Sequence, residues 1–143
     1  MSEILVTTAI WSEDEEQMVE LRTRVFVGEQ KVPASLELDA LDADCLHVKA
    51  LDGNACIGTG RLLPDGYIGR MCVASEFRNQ GIGTLMLENL IQQAETAGHA
   101  QVMLNSQSYA IPFYQKNGFV IDSDEFIEAG IPHRHMVRYL TDK

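Results

Sequence analysis

Arg78-Asn79-Gln80-Gly81-Ile82-Gly83-Thr84 joins a predicted strand, Tyr67 to Val73, to a predicted helix that opens near Ile82. Two glycines one residue apart let the backbone approach a ligand closely, and the first turn of a helix leaves several N–H groups without partners. Those donors and the positive end of the helix dipole suit phosphate oxygens, to which Arg78 adds a charge. A Walker loop is excluded because no Lys follows the glycines. That makes a nucleotide phosphotransferase a poor reading. A dinucleotide fingerprint is excluded because Met86 stands where its third glycine belongs. Spacing alone leaves two readings, an anion loop and a plain turn.

Outward from the loop, periodicity organises the rest. Leu85, Met86, Leu90, Ile91 and Ala94 hold one face of the helix from Ile82, which Gly98 closes. Upstream, Leu46, Val48 and Ala50 alternate, Asp52-Gly53 turns, Ala55 to Leu63 runs extended, and Pro64-Asp65-Gly66 turns again. With Tyr67 to Val73 these make a three-strand antiparallel meander. A first strand around Ile4, Val6 and Ala9 ends near Trp11. Ser12 and Glu15 have the spacing of a capping box for a helix through Met18, Leu21 and Val25 to about Phe26. Gly28 to Asp44 reads as irregular, with Pro33 as a breaker. Downstream come a strand at Gln101 to Asn105, a short helix from Tyr109 to Lys116, extended chain from Phe119, and a last strand from His135 to Leu140. The predicted class is α+β, a mixed sheet with helices packed on it.

The 143 residues form one expected domain, 1–143, with no repeat or linker, long enough to bury roughly 70% of the unfolded surface. Net charge is −10, from 21 acidic against 11 basic residues, which disfavours nucleic acid and anionic lipid as partners. Twelve of the acids fall in the first 52 residues. They are either a solvated face or a cleft that draws a cationic amine. Cys45, Cys56 and Cys72 suggest neither a disulfide framework nor a zinc site. His133 and His135 share one side of a strand, but no Cys or third His nearby completes a ligand set, so no metal is expected. Nothing marks export or membrane insertion, and the expected location is cytoplasmic.

Arg78-x-x-Gly81-x-Gly83 resembles the Arg/Gln-x-x-Gly-x-Gly/Ala signature of GCN5-related N-acetyltransferases (GNAT). The resemblance spans nearly the whole chain, and it points to the small bacterial ElaA-like branch. Leu21-Arg22-x-x-Val25-Phe26-Val27-x-Glu29-Gln30-x-Val32-Pro33, Gly60-Arg61-Leu62 and Ile68-Gly69-Arg70 carry it. So do Glu37-x-Asp39-x-x-Asp42-x-x-x-x-His47, Phe113-Tyr114-x-x-x-Gly118-Phe119 and Gly130-Ile131-Pro132-His133.

The resemblance implies the acyl-CoA N-acyltransferase fold, with a central, mostly antiparallel sheet whose strands splay. It implies acetyl-CoA as cosubstrate without a metal, and direct transfer to a primary amine through a ternary complex. Backbone groups from Asn79 through Gln80, Gly81, Ile82 and Gly83 to Thr84, with Arg78 alongside, then hold the pyrophosphate. Screening beyond about 8–10 Å lets local dipoles outweigh the distant negative field. Main-chain groups at Met71 and Val73 pair with the pantetheine arm, and an N–H at Cys72 or Val73 polarises the thioester carbonyl. Tyr114 is the implied proton donor to the departing thiolate, or else it only packs on the cofactor. Asn105 orients the cofactor or a water, or caps the next helix. Glu29, His133 and Glu128 are candidate bases bordering the acceptor cleft, while His47 has no implied role. A module that binds acyl-CoA without catalysis is the rival reading, and strand edges of this kind admit a homodimer.

Overall fold

The computed structural model describes residues 4–32 and 40–140. Strand β1 (Ile4–Ala9) leads into helix α1 (Trp11–Arg22), and the backbone then widens into a π-helical stretch, Thr23–Glu29. Strands β2 (Leu46–Asp52), β3 (Ala55–Leu62) and β4 (Ile68–Val73) follow as the predicted meander, and β1 pairs antiparallel with β2. Helix α2 (Ile82–Thr96) then leads to β5 (Gln101–Gln107), α3 (Ile111–Lys116), β6 (Val120–Ile121), β7 (Phe126–Glu128) and β8 (Ile131–Tyr139).

The strands form two sheets. One has the order β1-β2-β3-β4; the other has β5-β8-β6, with β7 also paired to β8. Between β4 and β5 the chain makes one parallel bridge, Tyr67 to Met103, where the Met103 N–H donates to the Gly66 carbonyl at 3.0 Å. Beyond that bridge no ladder joins β4 to β5 among the described residues, so a wedge opens between them.

Helix α2 lies directly on β3 because β3 carries Gly58 and Gly60. A Cβ at Gly58 would sit 2.8 Å from Met86 Sδ and 3.0 Å from Ala50 Cβ; one at Gly60 would sit 3.0 Å from Leu90 Cδ1. The core between them comprises Val48, Ile57, Met86, Leu87, Leu90 and Ala94, joined by Leu104 and Met136 from the second sheet and by Phe119 just before β6. Among the described residues no helix is long and apolar enough to cross a membrane.

Several expectations are corrected. The capping box does not form: α1 starts at Trp11 with Ile10 as its N-cap, which places Ser12 inside the first turn. Asp14 replaces it, taking the Ile10 N–H on Oδ2 at 2.9 Å and Lys49 Nζ on Oδ1 at 2.9 Å. The α-helix ends at Arg22 rather than Phe26, but helical backbone continues through the π stretch to Glu29, so Gly28 and Glu29 are helical where irregular chain was expected. Leu85 is 50% exposed, and Leu87 takes its place on the buried face. The last strand begins at Ile131, four residues early, because β7 pairs with it there. Pro33, Glu37 and Asp39 lie outside the described residues.

Candidate active site

A bulge in β4 sets the wedge. Thr59 pairs with Cys72 but Arg61 pairs with Gly69, so β4 carries one residue more than β3 across this interval. Arg70 absorbs the irregularity at a φ of 51°, and its carbonyl accepts the Thr59 hydroxyl at 3.3 Å. Past the bulge, the Ala74 N–H donates to the Ile57 carbonyl at 2.8 Å. Antiparallel alternation then turns the N–H and C=O of Val73 away from β3, toward the open edge. Arg78 Nε donates to that Val73 carbonyl at 2.8 Å. Cys72, by the same alternation, faces β3.

The loop after β4 forms the mouth of the wedge. Asn79 and Gly81 both adopt left-handed backbone, at φ 64° and 83°, which turns the chain sharply into α2. Gly81 is the N-cap and no side chain caps the helix, so the N–H groups of Ile82, Gly83 and Thr84 have no intrahelical acceptor. A Cβ at Gly81 would meet nothing within 4 Å, whereas one at Gly83 would sit 3.3 Å from the Phe113 ring. Gly81 thus leaves open space before the donors, and Gly83 admits an aromatic ring from α3. The Gln80 side chain turns back to the Glu76 carbonyl at 3.5 Å.

Glu29 is followed by Gln30 and Val32, which line the cleft described below, while its own side chain turns to the loop. Its Oε1 pairs with Arg78 Nη2 at 2.9 Å, tying the end of the π stretch to the loop. The ion pair joins residues far apart in the chain, so no local pattern marks it.

Beyond the wedge lies a cleft of about 520 Å³, and Met71, Asn105, Tyr114, Glu128 and His133 all line it. Tyr114 packs edge-on against Phe113 and Phe119, with centroids 5.0 and 5.8 Å away. Burial, with a smaller contribution from Tyr109, pushes its phenol up to about 12. His133 is 6% exposed; its Nδ1 lies 2.7 Å from the Ile131 carbonyl, which makes Nδ1 the protonated nitrogen, and its Nε2 lies 3.9 Å from Glu128 Oε2. Asn105 Nδ2 donates to Glu128 Oε1 at 3.4 Å. Asn105 does not cap α3, whose N-cap is Ala110. The structure therefore gathers Asn105, Glu128 and His133 in one wall of the cleft. Tyr67, passed over in the sequence, lines it too.

The Cys72 thiol is 8% exposed and lies 3.4 Å from the Thr59 hydroxyl; burial pushes it up to about 12. A thiol so raised stays protonated at neutral pH and is a poor nucleophile. His47 sits away from the cleft, stacked on Trp11 at 4.7 Å, with Nε2 2.8 Å from the Asp42 carbonyl. Beside it, Asp42 receives Arg22 at 2.8 Å and Arg61 at 3.0 Å in a buried cluster. The two arginines stood in quoted motifs next to Leu21 and Leu62, and that apolar setting is the signal for their burial. Among the described residues no cluster of three or more His, Cys, Asp or Glu could hold a metal ion.

A splayed pair of strands with a bulge at the split, and a glycine-rich helix N-terminus at its mouth, is the architecture of an acyl-CoA N-acyltransferase. Residues 11–140 match the model of the acetyltransferase (GNAT) domain. The Bacillus subtilis protein described as the uncharacterized N-acetyltransferase YjcF is 38% identical over 137 residues, covering 91% of this chain and 98% of that one. The crystal structure of an acyl-CoA N-acyltransferase from Pseudomonas aeruginosa aligns at a TM-score of 0.81 and 30% identity, covering 96% of this chain and 99% of its own. Escherichia coli ElaA aligns at 0.82 and 25% identity, over 96% and 99%. The chain belongs to the GNAT family and is an acyltransferase.

Proposed function

We propose that this protein moves the acetyl group of acetyl-CoA directly to a primary amine while both are bound. The observation that carries the reading is the open wedge between β4 and β5, with the uncapped helix N-terminus at Gly81 following β4 and the cleft lined by Met71, Asn105 and Tyr114 on the two strands' flanks. Its mouth suits a diphosphate, since donors without partners face open space there. In this reading the amides from Asn79 to Thr84 bind the pyrophosphate. Arg78, held by Glu29 and by the Val73 carbonyl, lends its charge from a fixed position.

Main-chain groups of Met71 and Val73 hold the pantetheine arm. Of the two amides expected to polarise the thioester carbonyl, Val73 is favoured, because Cys72 faces β3. Acetyl-CoA supplies the activated acyl group and a thiolate leaving group. Tyr114 keeps its proton at neutral pH and gives it to that thiolate. Glu128, Asn105 and His133 receive the ammonium of the acceptor, and they give the negative surface a local purpose. The buried, protonated Cys72 supports direct transfer over an acyl-enzyme.

Thiol release from acetyl-CoA, assayed with spermidine, an N-acetylated lysine amide and a short peptide with a free N-terminus, tests the proposal. Turnover on at least one amine is expected, with initial-rate lines that intersect when both substrates vary. Parallel lines would overturn direct transfer, and tight acetyl-CoA binding without thiol release would favour the non-catalytic module.

A further inference from the structure

The proton that the acceptor ammonium must lose has a second destination in this fold. Tyr67 stands where β4 and β5 touch, lines the cleft, and has its hydroxyl 2.8 Å from His135 Nε2. His135 Nδ1 is hydrogen-bonded to Asp122 Oδ1. The backbone clamps this pair from both sides. The His135 N–H donates to the Ser123 hydroxyl at 2.9 Å, and the Asp122 N–H donates to the His135 carbonyl at 3.0 Å. The Tyr67 ring packs edge-on against the imidazole at 5.6 Å. Strand β8, the segment just after β6 and the residue just before β4 converge on one imidazole.

The partners decide the tautomer. A carboxylate only accepts, so Nδ1 carries the hydrogen of the neutral ring, and Nε2 is left to accept the phenolic hydrogen of Tyr67. We propose that Tyr67, His135 and Asp122 form a proton relay that deprotonates the acceptor amine. Tyr67 touches the substrate; His135 and Asp122 act through it. This inference rests on the amine reading above.

The step balances. The N–H bond of the ammonium breaks as its proton joins the Tyr67 oxygen, while the phenolic proton passes to His135 Nε2. The products are a neutral amine, a neutral phenol and an imidazolium paired with the Asp122 carboxylate. The side chains of His135 and Asp122 are 23% and 43% exposed, so between turnovers the imidazolium gives its extra proton to water and the ring returns to the Nδ1–H form. A tyrosine alone would have to hold a negative charge; the histidine behind it removes that need, as in other nucleophile–histidine–carboxylate arrays. The other titratable groups on the cleft are Asp65, Arg70, Tyr109, Tyr114, Glu128 and His133.

Two measurements on the full chain test the relay. The first needs no acceptor: the ring nitrogens of His135, followed by nuclear magnetic resonance, are expected in the Nδ1–H tautomer. An Nε2–H tautomer would overturn the relay. The second is the pH dependence of kcat/KM with spermidine, the lysine amide and the peptide. Tyr67→Phe is expected to lower kcat/KM about a hundredfold at neutral pH and to move the rising limb up to the titration of the amine itself. Asp122→Asn should also move the limb, since the hydrogen bond that holds Nδ1 of His135 is changed. Parallel losses at every pH, with the limb unmoved, would mark a structural role and overturn the relay. A wild type inactive on all three amines overturns the acceptor reading, and the relay's task with it, whereas an active wild type with an unmoved Tyr67→Phe limb overturns the relay alone.

Discussion

At the scale of single residues, Tyr114 and Gly81 make opposite demands on an experiment. Tyr114 is half-buried against two aromatic rings and protonated at neutral pH, so its hydroxyl bears on the departure of the thiolate and little on cofactor binding. Tyr114→Phe should therefore lower kcat about a hundredfold, with acetyl-CoA affinity unchanged by calorimetry; wild-type turnover would leave the proton to another donor. Gly81 works through its backbone. Its φ of 83° costs any other residue about 1–2 kcal/mol, so Gly81→Ala should lower the melting temperature and weaken acetyl-CoA binding, although its methyl meets nothing in the free protein. The glycine loop was legible in the sequence because a helix start is local. Glu29 was not, since its partner Arg78 arrives from another element, and neither was the Tyr67–His135 pair, which lies 68 positions apart.

Among the elements, β3 decides how closely α2 approaches the sheet. Met86 is fully buried and cannot swing clear, so Gly58→Ala should destabilise the protein by about 1–3 kcal/mol in a denaturant titration. Paired glycines within an extended stretch signal such an approach, and Gly58-x-Gly60 carried that signal unread. The meander was legible because turns such as Asp52-Gly53 punctuate strands of alternating pattern. The wedge between β4 and β5 was known only through the family resemblance, for the bulge at Arg70 depends on pairing with β3 and has no local mark. The capping box failed for a related reason. Asp14 is drawn to Lys49 of β2, and that tertiary contact, absent from any local pattern, accompanies a start at Trp11.

For the molecule as a whole, the buried polar cluster under α1 sets the response to acid. Burial holds His47 below its ordinary value of 6.5, against a partial upward pull from the Asp42 carbonyl. Burial alone would raise Asp42, but the hydrogen bonds and charges of Arg22 and Arg61 outweigh it and hold the carboxyl below 3.8. Both groups are depressed in the folded state, so the unfolded chain binds protons first as pH falls. Stability should be full above pH 6.5, decline below it as His47 protonates in the unfolded chain, and fall more steeply below 3.8. Melting temperature against pH checks this, and a curve flat from pH 7 to 5 would contradict the part given to His47. Asp42→Asn should cost about 3–5 kcal/mol, because it removes the carboxylate that Arg22 and Arg61 share in this buried cluster.

The most direct test of the whole account is to follow the backbone amides by nuclear magnetic resonance while acetyl-CoA is added. Saturable shifts concentrated at Asn79 to Thr84 and at Met71 to Val73 are predicted. Shifts confined to other parts of the chain, or no change at saturating coenzyme, would contradict it.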